Sequence, residues 1–485
     1  MGKINTRNTM KTTNKCGAPA YNYSDKEKLA TMVLTSFWDE KKFYGDNSTE
    51  LLALAERTDP AFVGALAIYA RNAMNLRSIS HVLTAVVAHA HRAELTRPVV
   101  AQVIQRPDDL TEIMQFYLTR YGKPVPNALK RQMGKEMNRF TEYQYAKYDK
   151  AKMALSFKDL LSIIHAKPIG LQNKMTFKGI MEGTLETPYT WETQLSERGN
   201  TREVWEELID SGKVGYMALL RNLRNILKAN PRNLDKVLAK LSNPNEVRRS
   251  HQLPFRFLSA YMMIREENLG STKVYDALED AISASCDNLH TLTGKTLIAI
   301  DTSCSMRHYI SSNSVINCAD VGRLMGAMAT RICEDADVIT FNTSVESVQL
   351  SSRNGILSNA MSIPVNGGGT DCSLPFWFAS QKHEKYDRII ILSDNMSNCL
   401  IHAAWAGDNA QREMQNYRKN YNPDCWVHAI DLVGYGTTQW SGNKVNYLAG
   451  WNERVLSYIS MVEDGMSSLL KDIESYNPLN IKTPK

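Results

Sequence analysis

The run Leu297, Ile298, Ala299, Ile300 stops abruptly at Asp301, and Ser303 and Ser305 follow at alternate positions. Four apolar residues without polar alternation suit a strand buried on both faces, as at the centre of a parallel sheet covered by helices. Sheets of that kind bind ligands beyond the carboxyl ends of their strands. At that point the chain carries a carboxylate and two hydroxyls, hard oxygen donors of the kind Mg²⁺ or Mn²⁺ accepts.

The sequence around this run has the rhythm of an α/β domain. Strands are expected at 297–300, 336–341, 345–350, 388–392 and 425–432, with helices at 315–334, 354–361, 373–381 and 406–419 between them. Such alternation predicts a doubly wound parallel sheet. Two more polar loops sit near expected strand ends, Gly369-Thr370-Asp371 and Ser393-Asp394-Asn395. Asp301, Ser303, Ser305, Thr370 and Asp394 together would surround a hard cation and leave one position for a partner's oxygen. The alternatives are acids and hydroxyls that only cap turns, and a loop that holds only water. No Gly-x-Gly-x-x-Gly follows the first strand, which argues against a dinucleotide site.

From residue 24 to about 287 the pattern is helical, with apolar spacings of three and four at 51–54, 62–69, 79–90, 99–104 and 110–118. Breaks at Asp59-Pro60, Arg97-Pro98, Arg106-Pro107 and Gly122-Lys123-Pro124 divide it into short helices, which suits an α-solenoid of the HEAT type or an irregular helical bundle. Residues 183–200 read as a long packed loop and 1–24 as a tail with little order before Tyr21. The net charge of +6 is concentrated in residues 1–290, where Lys and Arg outnumber Asp and Glu by nine. That asymmetry directs the search for a polyanion partner to the helical part, although Arg221, Arg224 and Lys228 also suit the wet face of an amphipathic helix. The eight cysteines form no Cys-x-x-Cys pair, so a zinc site or a disulfide framework is not expected. No long apolar run or leader-like segment occurs, and a cytoplasmic protein without a membrane span is expected.

Asp-x-Ser-x-Ser, then Thr-Asp after a glycine run, then Ser-Asp after an apolar strand resemble the metal-ion-dependent adhesion site of von Willebrand factor A domains. By that resemblance Ser303 and Ser305 bind the metal directly, and Thr370, Asp301 and Asp394 bind directly or through water. The helical part resembles the Ro autoantigen, or TROVE-domain, family. The resemblance is carried by the Lys158-Asp159-Leu160-Leu161 and His165-Ala166-Lys167-Pro168 elements, by Thr190-Trp191-Glu192, by Leu220-Arg221-Asn222-Leu223, by Pro254-Phe255-Arg256-Phe257 and by the segment from Gly367 to Pro375. The chain has Met396 where many relatives have an acid, and its spacing between Tyr148 and Ser156 differs by about one residue from the animal pattern.

The resemblance implies a HEAT-like solenoid ring (residues 21–290, after a tail at 1–20) closed by a doubly wound A domain (291–485). It implies Y RNA-like noncoding RNA on a basic surface, single-stranded 3′ ends of misfolded RNAs in the ring, and a divalent metal, Mg²⁺ or else Mn²⁺. The residues matching the family's RNA-contacting segments are Lys130, Arg131, Lys147, Lys150, Lys152, His165 and Lys167; without the resemblance His165 reads as a core histidine. The expectation is a monomeric, non-enzymatic scaffold in RNA surveillance, with an exoribonuclease or another protein as a partner at the metal. The competing reading is a metal-dependent protein-binding module with the helical part as spacer.

Overall fold

The computed structural model describes residues 11–14, 19–35, 46–149, 154–287, 289–310, 314–351, 353–397, 409–451, 453–465 and 469–481. The chain divides into two compact units, residues 37–199 with 470–485, and residues 1–36 with 200–469. The helices from Arg202 to Cys286 therefore belong to the same unit as the sheet, a division that no feature of the sequence marks.

In the first unit, short helices pack on their next neighbours and on the next but one. Pro60–Asn72 lies against Ser78–His89 and Ala93–Val103, Ser78–His89 against Pro107–Tyr121, and Ala93–Val103 against Asn127–Met137. This is the packing of stacked helix pairs. Prolines 60 and 107 stand in the first turns of their helices, where a missing N–H costs nothing. Asp109, fully buried, holds three of these helices together. It meets Arg71 Nη2 at 3.1 Å, Arg77 Nε at 2.7 Å and His81 Nε2 at 3.1 Å, and accepts from the backbone N–H groups of Gln105 and Arg106. The other ring nitrogen of His81 lies 2.8 Å from Glu112. Residues 183–200, expected as a loop, contain the helix Trp191–Arg198. Its N-terminus is fixed by Thr190 and Thr193, whose side chains bond each other's backbone N–H groups, so local capping overrides the weak periodicity.

Among the described residues the second unit contains nine strands: β1 (Lys11–Thr13), β2 (Pro19–Asn22), β3 (Leu292–Asp301), β4 (Cys333–Phe341), β5 (Val345–Val348), β6 (Arg388–Ser393), β7 (Trp426–Asp431), β8 (Thr437–Thr438) and β9 (Val445–Ala449). Six form one sheet in the order β5-β4-β3-β6-β7-β9, parallel except for the edge strand β5. The buried apolar run of β3 is central, as its pattern predicts. Beside it the strand order reverses, with β4 on one side and β6 on the other, so a crevice opens at the carboxyl ends of β3 and β6.

The helix Cys318–Ile332 packs on β3 through glycines. A Cβ on Gly326 would lie 2.5 Å from Ile300 Cδ1. Gly326→Val is therefore expected to destabilise the fold by about 1–3 kcal/mol through overpacking, read as a lower urea midpoint. β9 and the helix Glu453–Glu463 lie beyond the last strand expected from sequence. The stretch between β7 and β9 is rich in glycine and turns, which hides the short strand that follows it.

The segment expected as a tail is ordered where it is described. β1 pairs with β2, and β2 pairs antiparallel with β8, which gives strands of two to four residues a ladder that isolated strands lack. Tyr21 and Tyr23 are buried, and Asn14 donates to the carbonyl of Ser397 at 2.6 Å.

Candidate metal centre and nucleic-acid face

Parallel register sets Asp301 of β3, Ser393 of β6 and Asp431 of β7 in one row across neighbouring strands. Side chains in such a row project from the same face of the sheet. Ser393 Oγ donates to Asp301 Oδ2 at 2.6 Å and accepts from the N–H of Asn395 at 3.0 Å. Asp301 Oδ1 accepts from the N–H of Ser303 at 2.9 Å. This bond curls the loop so that Ser303 Oγ and Ser305 Oγ stand 3.1 Å apart. The Thr370 loop is sewn to the same place by Cys304 N–H to the Gly368 carbonyl and Gly367 N–H to the Thr302 carbonyl. Gly367 and Gly368 adopt φ of 78° and 93°, a region that favours glycine, and a Cβ on Gly367 would meet the Arg307 guanidinium at 2.9 Å.

Asp301, Ser303, Thr370 and Asp394 are buried, and Ser305 is half-buried. Burial raises the Asp301 carboxyl above its ordinary range. Asp394 is raised well above it, first by burial and then by the neighbouring Asp301 charge, while Ser305 opposes the shift. Asp394 Oδ1 accepts from the N–H of Met396, but its buried Oδ2 has no hydrogen-bond partner. Among the described residues neither carboxylate is paired with Lys, Arg or His. Two adjacent buried acids without a counter-charge, bordered by hydroxyls, suit a hard cation chemically. Among the described residues no group of three or more His, Cys, Asp or Glu gathers as a metal site, so the hydroxyls would have to complete any shell. Sequence reading missed Asp431, although it too follows an apolar strand.

The cationic residues fall in the helical unit. Lys130 and Arg131 lie on the helix Asn127–Met137, and Lys147 lies in the last turn of the helix Glu142–Tyr148. Lys150 and Lys152 lie outside the described residues. His165 terminates the helix Phe157–Ile164 in the left-handed conformation, φ 53°, and is exposed. Its exposure removes the core-histidine reading. Asn138 locks this terminus to the helix Asn127–Met137, donating to the Lys167 carbonyl at 3.1 Å and accepting from Ile169 N–H at 2.7 Å. Arg131, Lys147 and Lys167 are exposed and Lys130 half-buried, and among the described residues none of the four has an acidic partner. Arg224 and Lys228 instead share Glu267, which makes them part of a surface ion cluster.

Comparison with known proteins adds an independent finding. The sequence pattern of the TROVE domain matches residues 21–184 and 181–279, and that of the Ro60 vWA domain matches 295–433. The chain is 27% identical over 290 residues to telomerase protein component 1 of Rattus norvegicus, covering 42% of this chain and 11% of that protein. It is 26% identical over 226 residues to the RNA-binding protein RO60 of Caenorhabditis elegans, covering 43% and 33%. For RO60 of Deinococcus radiodurans the identity is 25% over 220 residues, covering 40% and 38%. The chain thus matches well under half the length of each of these relatives. The crystal structure of Deinococcus radiodurans RO (RSR) protein superposes with a TM-score of 0.62 at 18% identity, covering 92% of this chain and 100% of that one, and shares its fold.

Proposed function

Because the chain belongs to the TROVE-domain family, with an A domain of the Ro60 kind, we propose that it holds structured noncoding RNA and single-stranded 3′ ends as a scaffold rather than as an enzyme. The observation that carries this reading is the set of acid-free cations, Lys130, Arg131, Lys147 and Lys167, beside exposed His165 in the helical unit. Phosphate oxygens take such cations without sequence reading, and an exposed imidazole can stack on an unpaired base. RNA proteins bearing the RO60 name among the relatives support it.

In the same reading Asp301, Ser303, Ser305, Thr370 and Asp394 hold a divalent ion, Mg²⁺ or Mn²⁺, which offers a Lewis-acidic position to a partner's carboxylate. An exoribonuclease or another protein would dock there, while RNA is held by the helical unit. The test is a binding titration of an RNA hairpin with a free single-stranded 3′ tail against salt. A log–log slope of several negative units is expected. A flat salt response would sink the RNA reading and leave the alternative, a protein-binding module that works through its metal.

A further inference from the structure

Large apolar side chains left on the surface gather in one stretch of the helical unit. Of the eleven such side chains among the described residues, four lie between residues 169 and 181: Ile169 is 69% exposed, Leu171 74%, Met175 58% and Met181 41%. Single residues of this kind need no explanation, whereas a cluster marks a contact surface. The helix Gly170–Glu182 buries Thr176, Phe177, Gly179 and Ile180, so its packed face is already occupied and the four exposed side chains stand off it. Leu171 and Met175, one turn apart, are neighbours on the helix surface. The start of the row is pinned: Asn138 accepts from the N–H of Ile169 at 2.7 Å, and Asn173 donates to the carbonyls of Asn138 and Ile169 at 3.1 and 3.0 Å. Lysines border it. Lys167 and Lys174 are exposed and have no acidic partner among the described residues, and Lys178 meets Glu182 at 3.8 Å in an open pair that solvent screens.

We propose that this face docks an acidic amphipathic helix of a partner protein. The partner's apolar stripe packs on Ile169, Leu171 and Met175, with Met181 extending the contact by a turn, and its Asp or Glu flank meets Lys167, Lys174 and Lys178. Helices recognise one another in this way, through apolar anchors three and four residues apart. Two of the four apolar side chains are methionines, whose flexible thioethers adapt to a partner's shape. The charge complement is acidic, because three lysines border the row against one glutamate. That alone also suits nucleic acid, but the exposed row carries no aromatic ring and no arginine, the flat groups on which unpaired bases stack. Nor does it carry the Trp or Tyr that anchors a helix in a lipid interface. The inference needs neither the RNA reading nor the metal, and it assigns the helix that follows Lys167 to protein rather than to RNA.

The probe is a fluorescein-labelled synthetic helix with leucine at the first and fourth positions of each heptad and glutamate beside them, titrated with the full chain and read by anisotropy. The unaltered chain is expected to bind it, and Leu171→Gln combined with Met175→Gln to weaken binding at least tenfold. Lys174→Glu combined with Lys178→Glu should weaken it as much, and should bind instead the same helix with lysine in place of glutamate. That exchange of preference is a result that general stickiness does not produce. Urea midpoints matching the unaltered protein show that these surface variants fold. No binding by the unaltered chain, or equal binding by the glutamine variant, would overturn the proposal. So would a glutamine variant that keeps the peptide but loses an oligouridylate, which would give the face to RNA and leave the RNA reading stronger. Cosedimentation with phosphatidylserine vesicles, or a concentration-dependent dimer in sedimentation velocity, would overturn it too if either were abolished by the glutamine variant while peptide binding stayed.

Discussion

Reversing the charges of Lys147, Lys150, Lys152 and Lys167 together is expected to weaken binding of an RNA with a free 3′ tail by about a thousandfold at physiological salt. Each reversal removes one phosphate neighbour and adds a repulsive carboxylate. The salt slope should become shallower by about one unit for each phosphate that is no longer neutralised. Lys147 and Lys167 have no acid to release, so the loss appears in RNA binding rather than in broken ion pairs. Lys147 and Lys167 are exposed, so reversing them should leave the urea midpoint nearly unchanged. Fluorescence anisotropy across a salt series is the measurement. Asp301→Ala, in the other unit, serves as the control and should bind RNA like the unaltered chain. Unchanged affinity in the quadruple variant would remove the RNA assignment from this segment.

Asp109→Ala is expected to cost about 3–5 kcal/mol, because it leaves the Arg71 guanidinium buried without its carboxylate. The side chains of both partners are at least nine-tenths buried, so solvent does not screen the loss. The same acid makes the helical unit sensitive to low pH. Burial by itself would raise the Asp109 carboxyl, but His81, Arg77 and Arg71 outweigh it and hold the carboxyl far below the ordinary carboxylate range. Glu112 is lowered as well, by His81 and Arg77 against its own burial. A carboxyl whose folded pKa lies below its unfolded value stabilises fully above about pH 4 and loses that contribution as pH falls toward the folded value. Urea midpoints should therefore fall as pH drops below about 4 and keep falling toward the folded value, and Asp109→Ala should flatten that decline. A variant with the stability and acid response of the unaltered chain would refute this account.

Much of this protein follows from local pattern. The apolar run ending at Asp301 specifies a central strand, because only a sheet covered on both faces buries four successive apolar side chains. Asp-x-Ser-x-Ser likewise curls on itself, since the Asp301 carboxylate reaches the N–H two residues on. Helix spacing and the proline breaks mark the helical half, and the order of several short motifs marks the family. Tertiary structure decided what depends on distant partners. β2 takes a ladder from β8, more than 400 residues away, and β1 pairs on β2 in turn; no pattern of three or four residues encodes that. The Asp109 cluster, the release of His165 to the surface and the row that joins Asp301 to Asp431 arise only when elements pack in register. Sequence determines which faces must be buried, because burial depends on each residue's own chemistry. Which buried charges meet depends on register and chain crossing, and those are properties of the assembled fold.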